Sequence, residues 1–487
     1  MNKFAKAAFI SFFIIGLTND FFAQQWISKD YDYELLPNLE YGTSINFNGN
    51  PEILTLDLYS PLCDNLNETA KRPLLIWIHG GAFLDGSKDD PSIVDMCIQF
   101  AKRGYVTASI NYRKGFVSNS TAYSCNYPNY SCVFAADAAE WERAYYRAVQ
   151  DTKGALRYLV NRNELYNIDT QNIFMAGESA GAFLALGVAL LDHESERPAS
   201  TYQIADAPLP HPSTQSCVYN VNEEFTGNSV ARPDLGGFEG TIELTEIDYT
   251  IKAVGNMYGA MLSDLLAYNN PEKPKPGIYN FHRPCDPVVP IDSGPIMEGL
   301  SWCFTNGYGC FAVSNTTTVH GSRTIHNWNT DNSYGYPMQS EFTNVEFPYN
   351  FLFGTGSCAD QVNNPCHAYD NKTLRENNLA DFFAPYITTN PVCLPSGVTG
   401  VSTATDFIDL QVYPNPAGQF LNISLNQNQE LSFELFDMIG HSVLKTKAQS
   451  SQNHNIPVAH LSRGIYFMHV SSLLQPEENR IIKIILQ

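Results

Sequence analysis

At 487 residues with a formal net charge of −21, the chain is too long for one ordinary domain and too acidic to seek polyanions. Eleven cysteines point away from a reducing compartment.

The N-terminus carries Lys3 and Lys6 ahead of an apolar stretch from Ala7 to Leu17, then Phe21-Phe22-Ala23. That pattern is too short for a spanning helix and predicts a secretory signal peptide over residues 1–23. No later segment reaches the roughly 18 apolar residues of a transmembrane helix, so no membrane span is expected. An oxidising destination makes disulfides the expected use of the cysteines. Spacing suggests Cys125 with Cys132, Cys303 with Cys310, and Cys358 with Cys366. The odd total leaves a thiol free, and Cys97, inside a helix-like stretch, is the candidate. No cysteine pair has zinc-ligand spacing, and neither a metal nor an organic cofactor is expected.

Residues 52–59 alternate polar and apolar side chains and read as an antiparallel lead-in strand. From residue 73 the rhythm becomes strand, loop, helix. Leu74-Leu75-Ile76-Trp77-Ile78 has the bulk of a strand buried on both faces. A helix over 92–103, a strand over 105–110, a helix over 136–163 and a strand over 172–176 follow. Such alternation predicts an α/β fold, a mostly parallel sheet flanked by helices. Residues 192–275 break the rhythm with a Pro-rich stretch and a predicted helix over 249–266, and are expected to form an inserted cap. The sheet resumes at 277–281 and again at 350–353, and a helix over 372–384 closes the catalytic unit, taken as residues 24–390. Residues 391–408 read as a linker. Beyond it, residues 409–487 contain short alternating segments at regular spacing, which predict a small C-terminal β-sandwich.

Two motifs carry chemistry. Gly177-Glu178-Ser179-Ala180-Gly181 sits between a strand-like run and a helix-like run, the setting of a nucleophile elbow. His79-Gly80-Gly81-Ala82-Phe83 follows the buried strand upstream, where such a turn offers backbone N–H groups to an oxyanion. Each alone could be an ordinary Gly-rich turn; their joint presence in this order argues for a site. A serine hydroxyl needs a histidine to take its proton and a carboxylate to hold that histidine. In the order Ser, acid, His, Asp286 leaves a strand at a Pro-rich turn and is the candidate acid. His367 lies between the last predicted strand and the closing helix and is the candidate base, with His320 and His326 as alternatives. Ser179 is then the nucleophile, and Gly80, Gly81 and Ala180 donate to the oxyanion.

The two motifs, with Ile110-Asn111-Tyr112-Arg113 and residues 151–159, resemble the α/β-hydrolase esterases, closest to type-B carboxylesterases and hormone-sensitive-lipase-like enzymes. The segment around Asp286 looks more like that of polymer-ester depolymerases. This resemblance covers residues 45–390 and implies an α/β-hydrolase fold and cleavage of carboxylic esters, small or polymer-borne. A serine peptidase of the same fold and a non-catalytic adhesion domain are the alternatives. In the tail, Val412-Tyr413-Pro414-Asn415-Pro416, Phe436-Asp437-Met438-Ile439-Gly440 and Leu461-Ser462-Arg463-Gly464-Ile465-Tyr466-Phe467 look like the type A sorting domain of Bacteroidetes type IX secretion. That resemblance implies the type IX machinery as partner of residues 409–487, and a secreted or cell-surface destination.

Overall fold

The computed structural model describes residues 26–486 except 63–70, 123–130, 136–137, 209–228, 269, 271–272, 287, 298–302, 306–307, 311–316, 344–364, 369, 389–409 and five short stretches of the tail (414–416, 426–430, 438–441, 449–452 and 473–478). The signal peptide, the linker, the strand expected at 350–353, and Cys125 and Cys358 lie outside the described residues. The chain divides into two compact units, Met1–Ser396 and Gly397–Gln487.

The first unit is built on eight strands: β1 Tyr33–Ile45, β2 Pro51–Pro61, β3 Arg72–Ile78, β4 Val106–Ile110, β5 Ile168–Glu178, β6 Ile251–Met257, β7 Gly277–His282 and β8 Met338–Phe342. Their order across the sheet is β1-β2-β4-β3-β5-β6-β7-β8. β1 and β2 pair antiparallel, as does β2 with β4; every later pairing is parallel. The chain leaves β3 toward β4 on one side and returns to β5 on the other. The carboxyl ends of β3 and β5 therefore flank a switch point, where open α/β sheets place their ligands.

Both faces are covered. α1 (Pro91–Ala101) and α5 (Lys372–Phe383) join one apolar cluster through Ile93, Met96, Phe100, Leu379 and Phe383. α2 (Ala138–Asn161), α3 (Ala180–Leu190) and α4 (Ser322–Asp331) join the other through Trp141, Val149, Leu156, Leu184 and Ile325. Sandwiched between them, Leu74, Leu75, Ile76, Trp77 and Ile78 of β3 are fully buried, which is why that strand is an unbroken apolar run. Each such side chain contributes about 1.5–3 kcal/mol of transfer free energy. α1 starts where Asp90 accepts the Ser92 amide at 2.9 Å with Pro91 in the first turn.

Residues 249–266 do not form the expected helix. Their core is β6, a central strand between β5 and β7. At Gly255 a side chain would meet Leu379 at 2.9 Å and Ala176 at 3.1 Å, so sheet and helix α5 close on bare backbone there. The cap expected over 192–275 is corrected accordingly: the sheet has resumed by residue 251. Residues 233–244, within the same stretch, run along α2. Tyr146 donates to the Gly236 carbonyl at 2.9 Å, Gln150 to those of Leu235 and Gly237, and Arg157 to that of Ile242 at 2.7 Å. Polar side chains of one helix thus satisfy the backbone of a segment with almost no ladder of its own.

The second unit consists of two antiparallel sheets. One holds β9 (Leu410–Tyr413), β10 (Phe420–Leu425) and β13 (Asn453–Pro457); the other holds β11 (Leu431–Phe436), β12 (Ser442–Ala448), β14 (Gly464–Ser472) and β15 (Asn479–Leu486). Leu421, Ile423 and Ile456 from the first share one core with Phe433, Leu435, Met468 and Ile484 from the second.

Candidate active site

The elbow is dictated by its glycines. At Gly181 a side chain would lie 2.1 Å from the Ile78 carbonyl oxygen, so only glycine lets α3 begin this close to the end of β3. Ser179 itself takes φ 55°, ψ −123°, a conformation costing about 1–3 kcal/mol for a residue with a side chain. Its backbone is pinned on both sides: the amide donates to Met257 O at 2.8 Å, and the carbonyl accepts from Ala182 and Phe183. The hydroxyl therefore projects from the turn at the head of α3, whose first amide, that of Ala180, has no partner within the helix.

Gly80 lies directly against this turn, since a side chain there would come 3.2 Å from Ser179 Cβ. Gly81 has φ 108°, and a side chain would strike the Asp85 carbonyl at 2.2 Å. His79 is fully buried and stacks on Tyr112 with ring centroids 4.4 Å apart. Burial lowers its pKa to about 4 despite its bond to the Gly80 carbonyl, so it is a neutral support for the turn.

Asp286 follows β7, and His367 ends a single 3-10 turn, Pro365–His367. The structure brings both to Ser179. His367 Nε2 is 3.0 Å from Ser179 Oγ, and His367 Nδ1 is 2.7 Å from Asp286 Oδ2. With the Nδ1 proton facing the carboxylate, Nε2 is left to accept the serine proton. His320 bonds Ser293 and His326 bonds Ser340, so the two alternatives are engaged elsewhere.

Charge is arranged around this series. Burial would raise the pKa of Asp286, but His367 and His282 outweigh it and hold the carboxyl down at about 2. Burial would lower that of His367, but the Asp286 charge and hydrogen bond, with Glu178 beyond, raise it above the ordinary value of 6.5. Glu178 is itself pushed up to about 7 by burial, against the pull of Arg375 and His367.

Two features at the site escape the sequence reading. His282 reaches Asp286 Oδ2 with Nε2 at 3.2 Å, while Ser322 Oγ lies 2.8 Å from its Nδ1. The carboxylate is thus held by two histidines on one oxygen and by the Val288 and Val289 amides on the other. The second is a disulfide. Cys366 pairs with Cys285, not with Cys358; the bonded residues are 81 apart in sequence with Cα atoms 5.4 Å apart. The expected pairing followed sequence proximity, whereas the two loops meet where Asp286 and His367 come together beside Ser179. Cys303 and Cys310 stand opposite each other in a short hairpin, and Cys97 is free and buried.

The bridge joins the neighbour of Asp286 to the neighbour of His367. Replacing both cysteines with serine is expected to cost about 2–5 kcal/mol of stability, as removal of a native disulfide usually does, and to lower kcat as the two loops separate. Thermal melts and turnover of a small ester check this; a variant with unchanged kcat would show that the loops hold their spacing unaided.

A strand-elbow-helix serine, an aspartate and a histidine in that chain order on a mostly parallel sheet define the α/β-hydrolase class. Residues 56–125 and 129–275 match the BD-FAE family, and residues 411–485 match the secretion system C-terminal sorting domain family. The chain carries an esterase/lipase-like α/β-hydrolase domain followed by a type IX sorting domain, which directs it to the cell surface or extracellular space. Among curated proteins it is similar to phenmedipham hydrolase of Pseudarthrobacter oxydans, 30% identical over 139 residues (28% of this chain, 23% of the relative). It is also similar to gut esterase 1 of Caenorhabditis elegans, 23% identical over 155 residues (32% of this chain, 24% of the relative). The matched region spans about a quarter of the length of these relatives. Among solved structures, a truncated carbohydrate esterase from gut microbiota aligns over 74% of this chain and 98% of its own, at 15% identity and a TM-score of 0.36.

Proposed function

We propose that the protein is a secreted serine hydrolase of carboxylic esters. Ser179 attacks the ester carbonyl while His367 takes its proton, Asp286 orients and stabilises the imidazolium, and His367 returns the proton to the leaving alcohol. Water then hydrolyses the acyl-enzyme by the same route. The amides of Gly80, Gly81 and Ala180 receive the oxyanion. The observation that carries this reading is the continuous hydrogen-bonded series from Ser179 through His367 to Asp286 beside a helix N-terminus. Substrates are small or polymer-borne esters. The tail, proposed to be a β-sandwich, is the part recognised by the type IX secretion machinery.

Purified protein is expected to hydrolyse p-nitrophenyl acetate, to leave peptide substrates intact, and to be labelled at Ser179 by a fluorophosphonate. Labelling at another residue, or none, overturns the assignment. The pH profile supplies a second check. The base must be neutral, so activity is lost as pH falls through the pKa of His367, which is raised. The acidic limb of kcat/KM therefore lies above the free-histidine value of about 6.5.

A further inference from the structure

A cavity of about 590 Å³ lies between the β1–β2 turn, the first half of α2 and residues 229–242. Ligand sites of small molecules fall in this size range, roughly 300–1,000 Å³. Its lining is strongly cationic. Arg113, Arg143, Arg147 and Arg232 all line it and are at most 8% exposed. Two buried carboxylates among the described residues of the lining face them: Asp151, bonded to Arg113 at 2.7 Å, and Glu140, bonded to Arg232 at 2.9 Å. Asp234, also on the wall, is exposed and pairs outward with Arg197.

Arg147 is the informative member. It is 4% exposed, and its Nη2 donates to the Gly115 carbonyl at 2.8 Å. No carboxylate pairs with it among the described residues. Burial, reinforced by Arg113 and Arg143, pulls its pKa down to about 9 against the pull of the Glu140 and Asp151 carboxylates, neither of which bonds it. A buried cation in this state is destabilising, and a carboxylate ligand in good geometry offsets part of that penalty. The whole chain is acidic, so any attraction for an anion here is local and comes from this cluster.

We propose that this cavity binds a carboxylate-bearing small molecule of about the size of a sugar acid, with its carboxylate on the Arg147 guanidinium. A guanidinium presents a planar fork that matches a carboxylate bidentately. The rest of the wall suits a polyol, with Ser44, Asn46 and Asn48 offering polar groups and Phe47 an apolar ring. The site is separate from the hydrogen-bonded series at Ser179, so the proposal stands whether or not the ester reading does.

The test is a binding measurement on the whole protein and does not involve turnover. Calorimetric titration with glucuronate is compared with glucose, its uncharged match, and with inorganic phosphate, a non-planar anion. Glucuronate is expected to bind at least about tenfold more tightly than either and to raise the unfolding temperature. Arg147→Met should weaken glucuronate binding roughly ten- to a hundredfold, the worth of a charge-assisted hydrogen bond. Without ligand, its unfolding temperature should be unchanged or higher, because an uncompensated buried charge has been removed. The proposal is overturned if glucuronate gives no binding, if glucose or phosphate binds equally well, or if Arg147→Met binds glucuronate as the parent does. Should that variant fail to fold, the selectivity of the unmodified protein decides alone.

Discussion

Ser179→Ala is expected to lower kcat for ester hydrolysis by about 10⁴–10⁶-fold while leaving the fold in place. The substitution removes one oxygen whose hydrogen bond runs to His367 Nε2 at 3.0 Å. Everything that holds the elbow is backbone: the amide on Met257 O, the carbonyl under Ala182 and Phe183, and the bare Gly181 against Ile78. Alanine has the same β-carbon at φ 55° and adds no new strain. What survives is the small rate supplied by the oxyanion amides. His367→Ala should be as severe, and the double variant hardly worse than either, because the residues act as a unit. Burst kinetics with p-nitrophenyl acetate and a thermal melt separate lost chemistry from lost structure. Retention of more than a few per cent of activity in Ser179→Ala would place the nucleophile elsewhere.

The parts of the protein legible in its sequence are those whose cause is local. The elbow is visible because a strand turning sharply into a helix, with one residue between them, leaves room only for small side chains at Gly177 and Gly181. The strand at 72–78 is visible because burial on both faces demands an unbroken apolar run. What stayed hidden depends on contacts between distant segments. β6 contains Lys252, Gly255 and Asn256, and its buried Asn256 is satisfied by Asn280 of β7 at 2.8 Å and by Ser322 at 3.1 Å. No hydrophobic pattern announces a polar group whose partners lie on other elements. The same holds for His282, whose place on Asp286 follows from the turn after β7. The disulfide left a faint trace: one cysteine precedes the candidate acid and another precedes the candidate base. Pairing them requires knowing already that acid and base meet.

Asp286→Asn should be nearly as damaging as loss of the serine, although it changes one atom. Among the described residues four groups approach this carboxylate, and all four point a nitrogen at it. Oδ1 accepts from the Val288 and Val289 amides at 2.8 and 3.0 Å; Oδ2 faces His367 Nδ1 at 2.7 Å and His282 Nε2 at 3.2 Å. An asparagine must put its NH₂ on one side or the other. Turned toward the valines, it opposes two fixed backbone donors. Turned toward the histidines, it forces His367 to give up its Nδ1 proton and carry it on Nε2, where the serine proton should go. Neither orientation leaves a competent base, so kcat is expected to fall by about 10⁴-fold, the scale reached when such a tautomer is inverted. Stability should fall too, by about 1–3 kcal/mol, because a buried donor is left without an acceptor. The acid limb of the pH profile should also move down, since the negative charge that raises the His367 pKa is gone. Steady-state kinetics across pH and a thermal melt test all three effects together. A variant within tenfold of the parent kcat would show that Asp286 is not the acid, and would turn attention to Glu178, the other carboxylate whose charge raises the His367 pKa.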